Sequence, residues 1–301
     1  MTASIRIAPA VAAALSRGAP VVALETTLVT HGLPHPDGVA VAGELERVVA
    51  AGGAVPATIG ILDGRIHVGM DRGQLERLAA TPGVAKVNTG NLAATLAAGV
   101  AGSTTVAATM FAAEAAGIRV FATGGIGGVH RQVETTGDVS ADLVALARHR
   151  VAVVCAGAKA ILDLPRTVEM LETLGVPVLG LDTDEFPAFY RRSSGLRLDH
   201  RCADVADVAA AVRTHFDLGL ATGVVVANPI PAAAEMPADI YETALTAALA
   251  AAETAGVTGR AVTPFLLDRM RAITGGVSIA VNRALLLHNA AVAAELAVAL
   301  A

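Results

Sequence analysis

Along the chain, short runs of consecutive apolar residues alternate with longer stretches in which apolar positions recur every three or four residues. The short runs predict strands over 21–24, 57–62, 65–70, 84–87, 119–122, 151–155, 176–181 and 223–227. The longer ones predict helices over 39–51, 74–80, 92–98, 106–116, 141–148, 161–174, 205–218, 238–255, 264–273 and 278–300. Asp63-Gly64, between two of the strands, suits a two-residue hairpin turn whose central positions both take positive φ. Ser140 stands as a cap ahead of the helix at Ala141. Strands separated by helices need crossover connections. The expected fold is therefore α/β, a three-layer α/β/α sandwich on a mostly parallel mixed sheet with one β-hairpin, in a single domain over 1–301. Ligands of such sheets bind beyond the carboxyl ends of the strands, so polar residues just past a strand are the candidates for chemistry.

Composition narrows the function classes. Hydrophobic residues make up 54% and charged ones 16%, which excludes general disorder. The net charge of −5 leaves no basic excess for a phosphate backbone, so no nucleic-acid partner is expected. Cys155 and Cys202 have no metal-binding or redox spacing, which fits a reducing compartment. The first residues lack the pattern of a secretory leader. The apolar stretch 277–301 is interrupted by Asn282, Arg283, His288, Asn289 and Glu295. It reads as a buried helix, with no membrane association and a cytoplasmic location expected.

Only two of the 22 Lys and Arg residues are lysines, Lys86 and Lys159. In a chain that uses arginine wherever a plain charge suffices, a retained lysine is a candidate for work that needs a deprotonable amine. Lys159 follows the apolar run 151–155 through a small-residue turn, where desolvation and a nearby cation would release free amine. Lys86 is better placed as a point charge for phosphate. Glu25 follows the run 21–24, where burial would raise its pKa and suit it to donate a proton; capping a turn is the plainer alternative. The segment Thr123 to Arg131 carries four glycines, then His130 and Arg131, and reads as a flexible phosphate loop or a plain tight turn. Asp138 and Asp142 flank a helix start, where they could chelate a hard cation or complement the helix dipole. Asn282 and Asn289 share a helix face, serving packing or the reading of an amide-bearing ring. His31 and His35 are four apart, but Gly32 and Pro34 argue against the helix that a zinc pair would need.

Together these stretches resemble the pseudouridine-5′-phosphate glycosidase family, also called indigoidine-synthase-A-like. The motifs are ALETTLVTHGLPHP, STTVAATM, GGIGGVHR, ETTGDVSADL, VAVVCAGAKAILD, GVPVLGLDTDEFPAFY, NPIP, VTPFLL and TGGVSIAVN. The resemblance implies reversible cleavage of the C–C glycosidic bond of pseudouridine 5′-phosphate to uracil and ribose 5-phosphate, with manganese or a similar divalent cation. It implies Lys159 as the nucleophile of a lysine–ribose adduct and Glu25 as proton donor. Asp138 would hold the metal through waters, and Ser140, Ala141 and Asp142 would line the substrate site. Val106 would contact substrate, Lys86 would help hold the phosphate, and Asn282 would face the base. Thr123 and His130 join the substrate-binding set, and a homotrimer is implied. The chain departs from the family pattern at Asn88-Thr89-Gly90-Asn91, Gln132 and Gly137. A C-ribosyl synthase joining ribose 5-phosphate to another ring is the second reading. A Schiff-base aldolase and a non-catalytic sugar-phosphate sensor stand outside the class.

Overall fold

The computed structural model describes residues 4–32, 37–257, 259 and 262–301. Among them eleven strands form one sheet. Its main path runs β1 (Ile5–Ile7), β4 (Arg65–Val68), β3 (Val55–Leu62), β2 (Val21–Leu24), β7 (Val120–Ala122), β8 (Ala152–Cys155), β11 (Val224–Ala227), β9 (Val178–Leu181) and β10 (His200–Cys202). The short β6 (Gly102–Thr104) branches from β3, and β5 (Ala85–Val87) pairs with β6. Every pairing is parallel except β3 with β4 and β3 with β6. The β3–β4 hairpin turns at Asp63 (φ 53°) and Gly64 (φ 68°), the two positive φ angles that the Asp-Gly pair predicts.

The helices are α1 (Pro9–Ser16), α2 (Asp37–Ala51), α3 (Arg72–Ala80), α4 (Leu92–Ala97), α5 (Val106–Ala116) and α6 (Val133–Thr136). They continue with α7 (Ala141–Leu146), α8 (Leu164–Thr173), α9 (Val205–Asp217), α10 (Ala238–Thr254), α11 (Val262–Ile273) and α12 (Val277–Leu300). The predicted helices all appear, with ends shifted by a few residues. The largest shift is at α8, which starts at Leu164 instead of residue 161 because the Asp163 side chain caps it by accepting the Arg166 amide. A π-helical turn over Leu28–Gly32 follows β2 and carries His31. His35 lies outside the described residues.

Strands β2, β8 and β11 are buried at every residue, as expected for parallel strands covered on both faces. On one face α5 packs on α7 and on β2, β3 and β7; on the other α12 crosses β2, β7 and β8, flanked by α2 and α9. Phe121, fully buried in β7, sits between these layers, and its truncation to Ala would cost about 3–5 kcal/mol. Helix α12 is long and apolar enough to cross a membrane, yet half of it is buried inside the protein, which makes it a core helix.

The chain runs outward from β2 to β3 and then returns to place β7 on the other side of β2. The carboxyl ends of β2 and β7 therefore bracket a switch point, where the diverging connections leave a crevice.

Candidate active site

The residues that end the central strands gather at this crevice. Leu24 pairs with Ala122, Ala122 with Val154, and Cys155 with Ala227. The residues just past these ends, Glu25, Thr123, Ala156 and Asn228, thus stand side by side. Above them opens a cleft of about 420 Å3, a size suited to a small organic ligand. Glu25, Lys86, Val106, Thr123, His130, Asp138, Ser140, Ala141, Asp142, Lys159 and Asn282 all line it, so one cavity collects the residues to which the resemblance gives a role, together with Thr123 and His130.

Glu25 is 9% exposed, and its carboxylate accepts the Thr123 hydroxyl. Burial pushes its pKa up; the charge of Lys159 and the Thr123 hydrogen bond pull the other way, and Asp142 adds to the rise. The result is a carboxyl that keeps its proton to higher pH than a surface glutamate. Lys159 is half-buried and held through its backbone. The glycine segment and the lysine turn are laced by Ala156 N to Gly124 O (2.9 Å), Ile126 N to Gly157 O (3.0 Å) and Lys159 N to Ile126 O (3.0 Å). Gly157 takes φ 75°, and a Cβ there would collide with the Pro187 carbonyl, so only glycine fits this turn. Cys155 is no competing nucleophile, because burial pushes its thiol up to about 12.

Lys86 is the amine whose pKa falls, through burial first and the Lys159 charge second. Among the described residues no carboxylate lies within ion-pair distance of either lysine. Two amines without a close ion-pair partner in one cleft favour an anionic ligand. The Asn88–Asn91 run shapes the turn after Lys86: the Asn91 amide donates to the Lys86 carbonyl at 3.1 Å and its oxygen accepts Asn88 N at 2.9 Å.

The glycine segment is not the flexible anion nest that its composition suggests. Its amides at Ile126, Gly127, Val129 and His130 are all spent on protein acceptors: Gly157 O, the Asp142 carboxylate, Thr167 Oγ1 and Asp138 O. Its glycines answer crowding; a Cβ on Gly127 would run into the Ser140 hydroxyl. Arg131 also leaves the phosphate reading, since its guanidinium reaches the Ile161 carbonyl at 3.3 Å and does not line the cleft.

Asp142 is likewise no half of a chelate. One oxygen accepts Ala107 N at 2.9 Å and the other Gly127 N at 2.8 Å, while its own amide rests on the Ser140 cap at 3.2 Å. Asp138 keeps its carboxylate largely uncommitted, with His130 Nδ1 at 3.8 Å. Among the described residues no three His, Cys, Asp or Glu side chains form a metal cage. Of the two aspartates, Asp138 alone leaves a carboxylate free to serve as a single protein ligand to a hard cation. The two asparagines of α12 divide their work. Asn289 is buried, accepting from Asn228 at 2.9 Å and donating to the Thr123 carbonyl at 2.8 Å, whereas Asn282 faces the cleft.

Two further lining residues, Thr105 and Phe189, escaped sequence reasoning, and a third, His31, figures there only as half of a zinc pair. His31 stands in the cleft with its ring pKa lowered by burial and Lys86. Thr105 follows β6, a strand of three residues that no periodicity reveals. Phe189 holds φ 62°, unusual for a bulky residue, and packs edge-on against Tyr190 with ring centroids 4.8 Å apart.

Residues 10–299 match the family described as Indigoidine synthase A like protein. A protein of Rhodospirillum centenum named pseudouridine-5′-phosphate glycosidase is 61% identical over 297 residues, covering 99% of this chain and 92% of its own. One of the same name from Methylobacterium nodulans is 56% identical, covering 97% and 87%. Among solved structures, a prealnumycin C-glycosynthase in complex with ribulose 5-phosphate superposes with a TM-score of 0.92 at 39% identity, covering 100% of this chain and 98% of that one. An indigoidine synthase A-like protein of Thermotoga maritima superposes at 0.87 with 37% identity, covering 98% and 95%. With the match spanning nearly its full length, the chain belongs to the indigoidine synthase A-like family.

Proposed function

We propose that this protein reversibly cleaves the carbon–carbon glycosidic bond of pseudouridine 5′-phosphate, taking up water and giving uracil and ribose 5-phosphate. The observation that carries the reading is a buried, proton-retaining Glu25 sharing one cleft with Lys159 and Lys86, in a chain 61% identical to a protein of that name. A carbon-linked base has no nitrogen or oxygen at the scissile bond to protonate, so the paired-carboxylate scheme of ordinary glycosidases does not suffice. In this reading the bond between the first ribose carbon and the ring oxygen breaks, and the neutral Lys159 amine bonds to that carbon. The proton the amine gives up is balanced by one taken up at the ring oxygen, which becomes a hydroxyl. Glu25 delivers a proton to the uracil carbon of the C–C bond. The bond's electron pair returns to the uracil ring, and the lysine nitrogen lone pair forms a cationic imine with the sugar carbon. Water then hydrolyses the imine, restoring the amine and releasing ribose 5-phosphate.

Lys86 holds the phosphate as a point charge, and Val106, Ser140, Ala141 and Thr123 shape the sugar-phosphate end. Asn282 faces the base, and His130 lines the same cleft beside Asp138, within the field of both amines. Asp138 would hold a divalent cation such as manganese, which when bound supplies positive charge to sugar oxygens. A homotrimer in the cytoplasm belongs to the same reading.

Run in the opposite direction, the same groups would join ribose 5-phosphate to another ring; the name of the C-glycosynthase neighbour supports this second reading. Its 39% identity against 61% and 56% for the glycosidases puts it behind. The test is incubation with pseudouridine 5′-phosphate and manganese, following uracil and ribose 5-phosphate. One uracil per sugar phosphate is expected; no release of uracil across divalent metals would sink the reading.

A further inference from the structure

We infer that Asn228 and Asn289 form a buried amide pair that positions the proton donor of this site, holding the Thr123 backbone so that the Thr123 hydroxyl stays on Glu25. This rests on the reading of Glu25 as proton donor and adds to it two positioning residues that touch no substrate. Asn228 is 2% exposed and Asn289 1%, and neither lines the cleft. Two side-chain amides buried between an apolar strand end and an apolar helix are unfavourable beside a pair of leucines of similar volume. Helix α12 already lays its apolar residues on β2, β7 and β8, so it does not need these amides to reach the sheet. Ligand contact does not account for them either. Their role lies in what they hold.

They hold the turn from β7 into the glycine segment. Thr123 N donates to the Val154 carbonyl at 3.0 Å, which fixes one side of the residue to β8. On the other side Asn289 Nδ2 donates to the Thr123 carbonyl at 2.8 Å, and Asn228 Nδ2 donates to Asn289 Oδ1 at 2.9 Å. Asn228 is itself anchored, because its backbone amide donates to the Cys155 carbonyl at 2.8 Å. These bonds admit one orientation of the Asn289 amide: turned over, its oxygen would face the Thr123 carbonyl oxygen. The next residue is Gly124, whose missing side chain lets the Thr123–Gly124 peptide rotate at little steric cost. Asn289 supplies the donor that opposes this rotation. With its backbone held, Thr123 donates its hydroxyl to the Glu25 carboxylate. That bond keeps the carboxyl in place and stabilises the anion left once the proton has gone.

The test uses Asn289→Leu, Asn228→Ala and Thr123→Val. In Asn289→Leu, kcat for uracil release should fall roughly 10- to 100-fold while KM for pseudouridine 5′-phosphate stays near wild type. Loosening the Thr123 hydroxyl removes an effect that lowers the Glu25 pKa, so the alkaline limb of kcat should move to higher pH, as it should in Thr123→Val. Because Asn289 acts through Thr123, the double variant should lose little more than Thr123→Val alone, whereas independent residues would multiply their losses. Asn228→Ala keeps Asn289 but frees its oxygen; it should move the limb the same way by less, and it carries the test should Asn289→Leu fail to fold. A limb at its wild-type position in either folded variant would overturn the inference, as would multiplied losses or a raised KM with kcat unchanged. The Glu25 carboxyl also gives an infrared band, identified by its absence in Glu25→Gln, whose titration needs no turnover. A wild-type protein that releases no uracil would sink the proposed reaction; the inference then stands if that band titrates at higher pH in Asn289→Leu and falls if it does not.

Discussion

Asp142 grips the Gly127 amide at 2.8 Å with one oxygen while the other holds Ala107 at 2.9 Å, so a single carboxylate fastens the glycine segment to the start of α5. It is 4% exposed, and each hydrogen bond it makes is charge-assisted. Asp142→Ala strips two backbone amides of their acceptor and should destabilise the protein by about 2–4 kcal/mol, read as a lowered midpoint in urea. Stability within experimental error of wild type would show that water replaces the carboxylate without loss.

The Glu25 carboxyl sets a pH limit on turnover. Burial raises its pKa above the unfolded value, so the proton donor is present at low and neutral pH and lost as pH rises through the raised value. The same shift acts on folding: Glu25 favours the folded state below its unfolded pKa, and that contribution disappears as pH climbs through the folded one. Glu25→Gln should therefore lose about 10²- to 10⁴-fold in kcat and gain stability relative to wild type as pH rises. Asp142→Asn, which removes a charge that helps hold the proton on Glu25, should shift the alkaline limb of kcat to lower pH. An unshifted limb would remove Asp142 from the electrostatics of Glu25.

Lys86 should give a second alkaline effect, visible in KM instead of kcat. Burial and the Lys159 charge lower its pKa, so its ammonium is lost at a pH below the ordinary lysine range. KM for ribose 5-phosphate should climb through that range, and Lys86→Arg, whose guanidinium keeps its charge, should flatten the climb. A flat wild-type profile would mean that the phosphate does not depend on this amine.

For Lys159 the decisive measurement is covalent. Lys159→Ala and Lys159→Arg should each lower kcat by at least about 10³-fold while ribose 5-phosphate still binds. Borohydride reduction in the presence of ribose 5-phosphate, followed by peptide mass mapping, should place the sugar on Lys159. A label confined to Lys86 would exchange the roles of the two lysines.

The central strands and the long helices were legible because buried parallel strands leave unbroken apolar runs and amphipathic helices leave a three-to-four spacing. Looking for cleft residues just past strand ends then placed Glu25, Thr123 and Lys159 in one cavity, since the sheet's register brings those ends together. The same logic failed at Thr105, because Gly102–Thr104 is too short to announce itself as a strand. It also misjudged the four glycines. Composition suggests backbone freedom there, whereas the packed structure uses them to let Ser140, Thr167 and Phe189 approach the chain. Which carboxylate is spent on backbone amides and which stays uncommitted, as between Asp142 and Asp138, depends on contacts across 35 and 15 positions of sequence that no local pattern encodes.

The Asn289 side chain, on α12, ties the Thr123 carbonyl to Asn228 and so clasps the ends of β7 and β11. Every strand of the sheet precedes α12 in translation order. A ribosome-bound chain halted before that helix emerges could pair its strands yet would leave Thr123, the partner of Glu25, without its clasp. The hydrogen bonds that hold Thr123 beside Glu25 are consequently completed by a segment that follows every strand of the sheet in the chain.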